Sequence, residues 1–91
     1  MKELKVKKGQ WTIEIEYDPE YNQTYSTLEI GDYCSSLPYI EDSGEVVKEL
    51  SNGGESTKTV PDNIMDWAFE VESDFRRENL DYDREYGEKA K

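Results

Sequence analysis

Residues 61–88 carry two periodic stripes at once, and these constrain the fold more than any other part of the chain. Ile64, Ala68, Val71 and Phe75 recur at helical spacing, and Tyr82 and Tyr86 continue the same line. Asp62, Asp66, Glu70, Asp74 and Glu78 recur every fourth residue. At about 100° per residue the two sets lie roughly 130° apart around a helix axis. The pattern predicts one long amphipathic helix with an apolar side against a core and a carboxylate side against water or a basic partner. Asp62 is the expected N-cap, with Asp66 adding charge near the positive end of the helix dipole. Asn79 and Asp81 are poor helix formers and Gly87 is a stop. The helix therefore ends either near Glu78, leaving a frayed tail from about residue 80, or near Glu88.

A helix of this kind needs a second apolar layer, and the N-terminal half supplies one. Trp11, Ile13, Ile15 and Tyr17 alternate with Thr12, Glu14 and Glu16, which is the pattern of a strand with one wet face. Leu4 and Val6 alternate with Lys5 and Lys7 in residues 1–8, and Lys8-Gly9-Gln10 between the two runs reads as a hairpin turn. This pairing would set the lysines opposite Glu14 and Glu16. Residues 18–24, with Pro19 and Asn22, read as a loop. Residues 25–30 form a further strand, with Ser26, Leu28 and Ile30 on one face, and Gly31-Asp32 marks the next turn.

The middle of the chain is less clear. Residues 33–40 read as a strand that Pro38 would confine to a sheet edge. Ser43 is a candidate N-cap for a short helix bearing Val46, Val47 and Leu50, closed by Asn52-Gly53-Gly54. The β-branched Val46-Val47 pair leaves a strand as the alternative. Residues 55–60 read as a linker or a short strand. The expected fold is thus a single α+β domain over residues 1–91. It has an antiparallel sheet of three to four strands, one short helix and the long C-terminal helix packed on the sheet. The expected core is Trp11, Ile13, Ile15, Leu28, Ile30, Ile64, Ala68, Val71 and Phe75.

Charge bounds the function. The chain has 91 residues with 22 Asp and Glu against 11 Lys and Arg, a formal net charge of −11. Small soluble domains usually carry a magnitude of about 2–8, and self-repulsion at this level opposes the compact state. Nucleic acid and anionic membrane are disfavoured as direct ligands. No histidine is present, so a Cys–His or Ser–His mechanism within one chain is excluded. Cys34 is the lone cysteine, which rules out an intrachain disulfide and reads as a structural thiol in a cytoplasmic protein. Residues 1–8 lack the apolar run of a signal peptide, and no run approaches the roughly 20 apolar residues of a membrane helix. The alternating acids of residues 81–85 lack the glycine and the final glutamate of a calcium loop. No catalytic, cofactor-binding or metal-ligating set is expected, and the Asn22-Gln23-Thr24 match to a glycosylation acceptor is attributed to chance.

The carboxylates themselves remain as the candidate site. Residues 62–88 hold ten carboxylates against three arginines. Like charges at i,i+4 repel by a few tenths of a kcal/mol per pair, a cost that lysines at alternate positions would remove. A solvated face is the plain interpretation. The functional one is that Asp62, Asp66, Glu70, Asp74 and Glu78, joined by Glu45, Glu49 and the aromatic Phe69, contact the basic surface of a partner protein. In size and charge, though in no motif, the chain is similar to small acidic phage and mobile-element proteins that block DNA-binding enzymes. The stripe has one charge per about 6 Å of helix, against one per about 1.7 Å of axis in duplex DNA. Imitation of a nucleic acid therefore requires acids from residues 41–49, or from the sheet through Glu14, Glu16 and Glu29, to lie beside the stripe. The second function class is a structural or accessory subunit that makes a homodimer or complex through Phe69, Met65 or the tyrosines Tyr21, Tyr25, Tyr33 and Tyr39.

Overall fold

A computed structural model of the chain describes residues 2–80. It is α+β, a six-stranded antiparallel sheet with two helices on one face. The strands are β1 (Lys2–Lys8), β2 (Trp11–Asp18), β3 (Gln23–Ile30), β4 (Tyr33–Ser36), β5 (Glu45–Glu49) and β6 (Glu55–Thr59). Helix α1 (Leu37–Ser43) lies in the β4–β5 connection, and α2 (Asp62–Asn79) follows β6. Strand order in space equals chain order, and every neighbouring pair is antiparallel.

The register explains the core. Val6 lies opposite Ile13 and Ile13 opposite Leu28, while Leu4 lies opposite Ile15 and Ile15 opposite Ser26. Directly opposed residues share a face, so the alternation in three strands sums to one apolar surface. Ile64, Ala68 and Phe75 of α2 are buried in the same cluster as Trp11, Ile13, Ile15 and Leu28. Leu37 and Ile40 of α1, with Val46 and Val60, complete it. Full burial of each such side chain contributes about 1.5–3 kcal/mol. Met65, Trp67, Phe69 and Val71 are half-buried around this contact and widen it. Ile30 and Val71, expected in the core, stand at its margin, packed against it but only partly buried. Among the described residues the other face of the sheet carries no helix.

Several expectations are corrected. The sheet has six strands rather than three to four, because residues 45–49 and 55–59 are strands. The short helix expected from Ser43 to Leu50 is therefore β5. Val46 is fully buried while its neighbour Val47 turns to the other face, opposite Cys34. Two adjacent β-branched residues lose side-chain freedom in a helix but suit a strand between two neighbours. Ser43 caps nothing at an N-terminus; its Oγ donates to the Tyr39 carbonyl at 2.8 Å and helps close α1. Asn52-Gly53-Gly54 belongs to the β5–β6 turn, where the Leu50 N–H donates to the Gly54 carbonyl and the Gly54 N–H to Asn52 Oδ1.

Residues 33–40 divide between β4 and α1. Pro38 sits in the first turn of α1, where its missing N–H has no helical partner to lose, so β4 is an interior strand and not an edge. At the other end of α1, Gly44 has φ +72°, and its N–H reaches the Ile40 carbonyl. A side chain would strain this left-handed position. Asp62 is not the N-cap of α2. Pro61 holds that position without a side-chain cap, and its carbonyl accepts from Ile64 and Met65. Asp62 still lies in the first turn, where its charge complements the dipole.

The helix stops at Asn79, whose side-chain amide donates to the Phe75 carbonyl at 2.8 Å. Leu80 then turns extended and is buried. The extension of the stripes through Tyr82 and Tyr86, the frayed tail and the acids of residues 81–85 lie outside the described residues. Among the described residues no helix is long and apolar enough to cross a membrane.

Candidate functional site

The exposed side of α2 is the site the residues define best. Asp62, Asp66, Glu70, Asp74 and Glu78 are all exposed, on a row that winds away from Ile64, Ala68 and Phe75 at its N-terminal end and approaches them at Glu78. Only Asp74 is neutralised within the fold, by Arg77 Nη2 at 2.6 Å. Among the described residues the other four form no ion pair. Arg76 is directed to the sheet, where its Nη1 donates to Thr24 Oγ1 at 3.1 Å. The outcome is a row of carboxylates about 24 Å long that, among the described residues, is met by one arginine ion pair.

Glu45 and Glu49 do not join this row. Val46 is on the helix-bearing face, so Glu45, Val47 and Glu49 occupy the opposite one. The register also places Glu3, Glu14, Glu16 and Glu29 there. Negative charge is thus split between two sides of the molecule. The sheet carboxylates cannot thicken the α2 row, and among the described residues outside α2 the acids on its side of the sheet come from α1. Glu41 and Asp42 are exposed there, and the end of α1 abuts the start of α2. The Val60 N–H donates to the Gly44 carbonyl at 2.8 Å, and Gly44 faces the Met65 side chain.

Phe69 is half-buried and packed against the core, so only part of its ring borders the acidic row. Tyr33 is likewise occupied. Its hydroxyl is 2.8 Å from Ser56 Oγ, and Lys58 Nζ lies 5.6 Å from the ring centre. Among the described residues the aromatic rings open to solvent are Tyr21, Tyr25 and Tyr39, 65%, 52% and 47% exposed. Cys34 is exposed on the helix-free face, not buried as expected of a structural thiol. Asn22 is buried with φ +53° and accepts from the Tyr17 hydroxyl at 2.9 Å, a structural role in the β2–β3 loop. Asparagine tolerates this left-handed conformation, and its place next to Pro19 in the β2–β3 loop was the signal. Among the described residues no three His, Cys, Asp or Glu side chains converge as a metal site.

The helix-free face has one well-defined ion pair. Lys5 Nζ is 3.1 Å from Glu14 Oε1, directly across the β1–β2 ladder. The hydrogen bond to Glu14, then its charge, hold the Lys5 ammonium above its ordinary pKa; Glu29 adds to this and desolvation opposes it. A raised cationic pKa favours folding below the unfolded value, and the gain disappears as pH rises through the folded value. Glu14→Gln is therefore expected to lower the Lys5 pKa read by NMR titration and to leave stability at high alkaline pH unchanged.

Against known proteins, no family model, curated protein or solved structure matches this chain.

Proposed function

We propose that this protein is a non-catalytic, cytoplasmic binding module whose α2 carboxylate row docks on the basic surface of a partner protein, and that it acts by occupying that surface. The observation that carries the reading is the exposure of five acids at successive i,i+4 positions along α2 with a single ion pair among them. Repeated i,i+4 repulsion disfavours the helix, so selection for stability alone does not account for the row. A basic partner relieves that repulsion on binding, and a dense negative field speeds its encounter. Duplex imitation by a combined acidic surface is not part of the proposal, since Glu45, Glu49 and the sheet acids face away from α2. A nucleic-acid-binding protein remains the leading kind of partner because its surface has the complementary charge.

The test is capture from lysate with immobilised wild-type protein and with a form whose row is reversed in sign. Under this reading, capture of a basic protein declines steeply with salt, is lost on sign reversal, and is competed by added duplex DNA. The second reading, an accessory subunit that forms a homodimer or complex through aromatics, is favoured by the exposure of Tyr21, Tyr25 and Tyr39. Salt-insensitive association that survives sign reversal but is lost when these tyrosines become alanine would establish it instead.

A further inference from the structure

Strand β3 is only half covered on its β4 side. All eight residues of β3 pair with β2, but β4 pairs only with Thr27 to Ile30, because the chain leaves the sheet at Ser36 and turns into α1. In the same register Leu37 and Pro38 would have opposed Ser26 and Tyr25. They are helical instead, so, among the described residues, 23–26 keep an unpaired edge in the middle of the sheet. A cavity of about 250 Å³ stands where the missing strand would run, bounded by that edge, by Ser36 and Pro38, and by Glu72 and Arg76 of α2. Ser26 lines it, and this side chain is 5% exposed with a buried Oγ that has no hydrogen-bond partner. Buried hydroxyls are nearly always paired.

We propose that this slot takes an extended basic segment of the partner, which adds a short strand to the open edge of β3. The proposal rests on the reading that the partner is basic. Strand addition suits the site because an unpaired sheet edge is complemented by another extended backbone. A residue opposite Thr24 or Ser26 projects towards α2, on the side of Glu72. That carboxylate is half-buried and has no ion pair among the described residues. Arg76 is already tied to Thr24, which leaves Glu72 to receive a lysine or arginine of the added strand. The outer edges of the sheet are less suited. Lys2, Lys5, Lys7 and Lys8 line β1, which discourages pairing with a basic segment, β6 has only five residues, and neither edge holds a buried hydroxyl without a partner.

The experiment is amide NMR on the intact 15N-labelled protein, titrated with a short capped lysine–threonine alternating peptide. Its glutamate–threonine counterpart and a backbone N-methylated lysine–threonine form serve as comparisons. The expected result is shifts at Thr24, Tyr25, Ser26 and Arg76 with the lysine peptide alone. N-methylation should abolish them, and Glu72→Gln should weaken binding roughly tenfold. Shifts confined to Asp66, Glu70 and Asp74 would overturn the slot and leave the basic-partner reading intact. Equal binding of the glutamate peptide at the slot would overturn the preference for a basic segment. Absence of any shift near Ser26 would overturn the proposal outright.

Discussion

Ile13→Ala is expected to lower the unfolding free energy by about 3–4 kcal/mol. Ile13 is fully buried and lies between Val6 and Leu28 across two ladders. It also belongs to the cluster that receives Ile64, Ala68 and Phe75 from α2. Truncation removes three carbons from the point where sheet and helix meet, and the surrounding strands, fixed by their register, relax little. A small domain has roughly 5 kcal/mol to lose, so the variant should sit close to its unfolding threshold. Urea denaturation measures the effect, with Val71→Ala as the comparison. Val71 is on the same helix face by period but half-buried at the margin, and its truncation should cost well under half as much. Equal costs for the two would contradict the packing described.

The second large effect combines Asp66→Lys with Asp74→Lys. The row then reads with alternating sign along residues 62, 66, 70, 74 and 78, and four repulsive i,i+4 pairs become attractive. Stability should rise by about 1–2 kcal/mol, with loss of the Asp74–Arg77 pair offsetting a few tenths of that. Partner binding should fall by roughly a hundredfold or more, through slower association and direct repulsion. A protein made more stable and less able to bind is the signature of a charge row kept for recognition. Unchanged binding would overturn that reading, whatever happens to stability. A fall in stability would instead contradict the assignment of all five acids to one exposed row.

These outcomes depend on features of unequal legibility in the sequence. The α2 row was readable because helical period alone fixes which residues share a face, whatever the helix packs on. The phases of β1, β2 and β3 were readable for a similar reason. Lys5, Glu14 and Glu16 alternate cleanly with Val6, Ile13 and Ile15. β5 was not, since Val46-Val47 followed by Leu50 fits a helix turn as well as a strand, and a five-residue run has too few repeats to separate the two periods. Pro38 misled because its two favourable settings, a strand edge and a helix first turn, look alike without the neighbouring residues in place. The separation of Glu45 and Glu49 from the α2 row was hidden for a deeper reason. It follows from the pairing of Cys34 with Val47, a contact across the α1 insertion that no local pattern encodes.

The identity of spatial and chain order in the sheet has a consequence for how the molecule is made. Each strand pairs with the one emerging just before it, so every ladder closes locally, across a short loop or, between β4 and β5, across the single helix α1, and local pairings of this type favour fast assembly. During synthesis the hairpin of β1 and β2 can form first and each later strand can add to the last. Until α2 leaves the ribosome, α1 with Leu37 and Ile40 covers only part of the apolar face that includes Trp11, Ile13 and Leu28. The nascent sheet is sticky in that interval, and a chain that stalls before residue 62 would be a substrate for chaperones and not a smaller working protein.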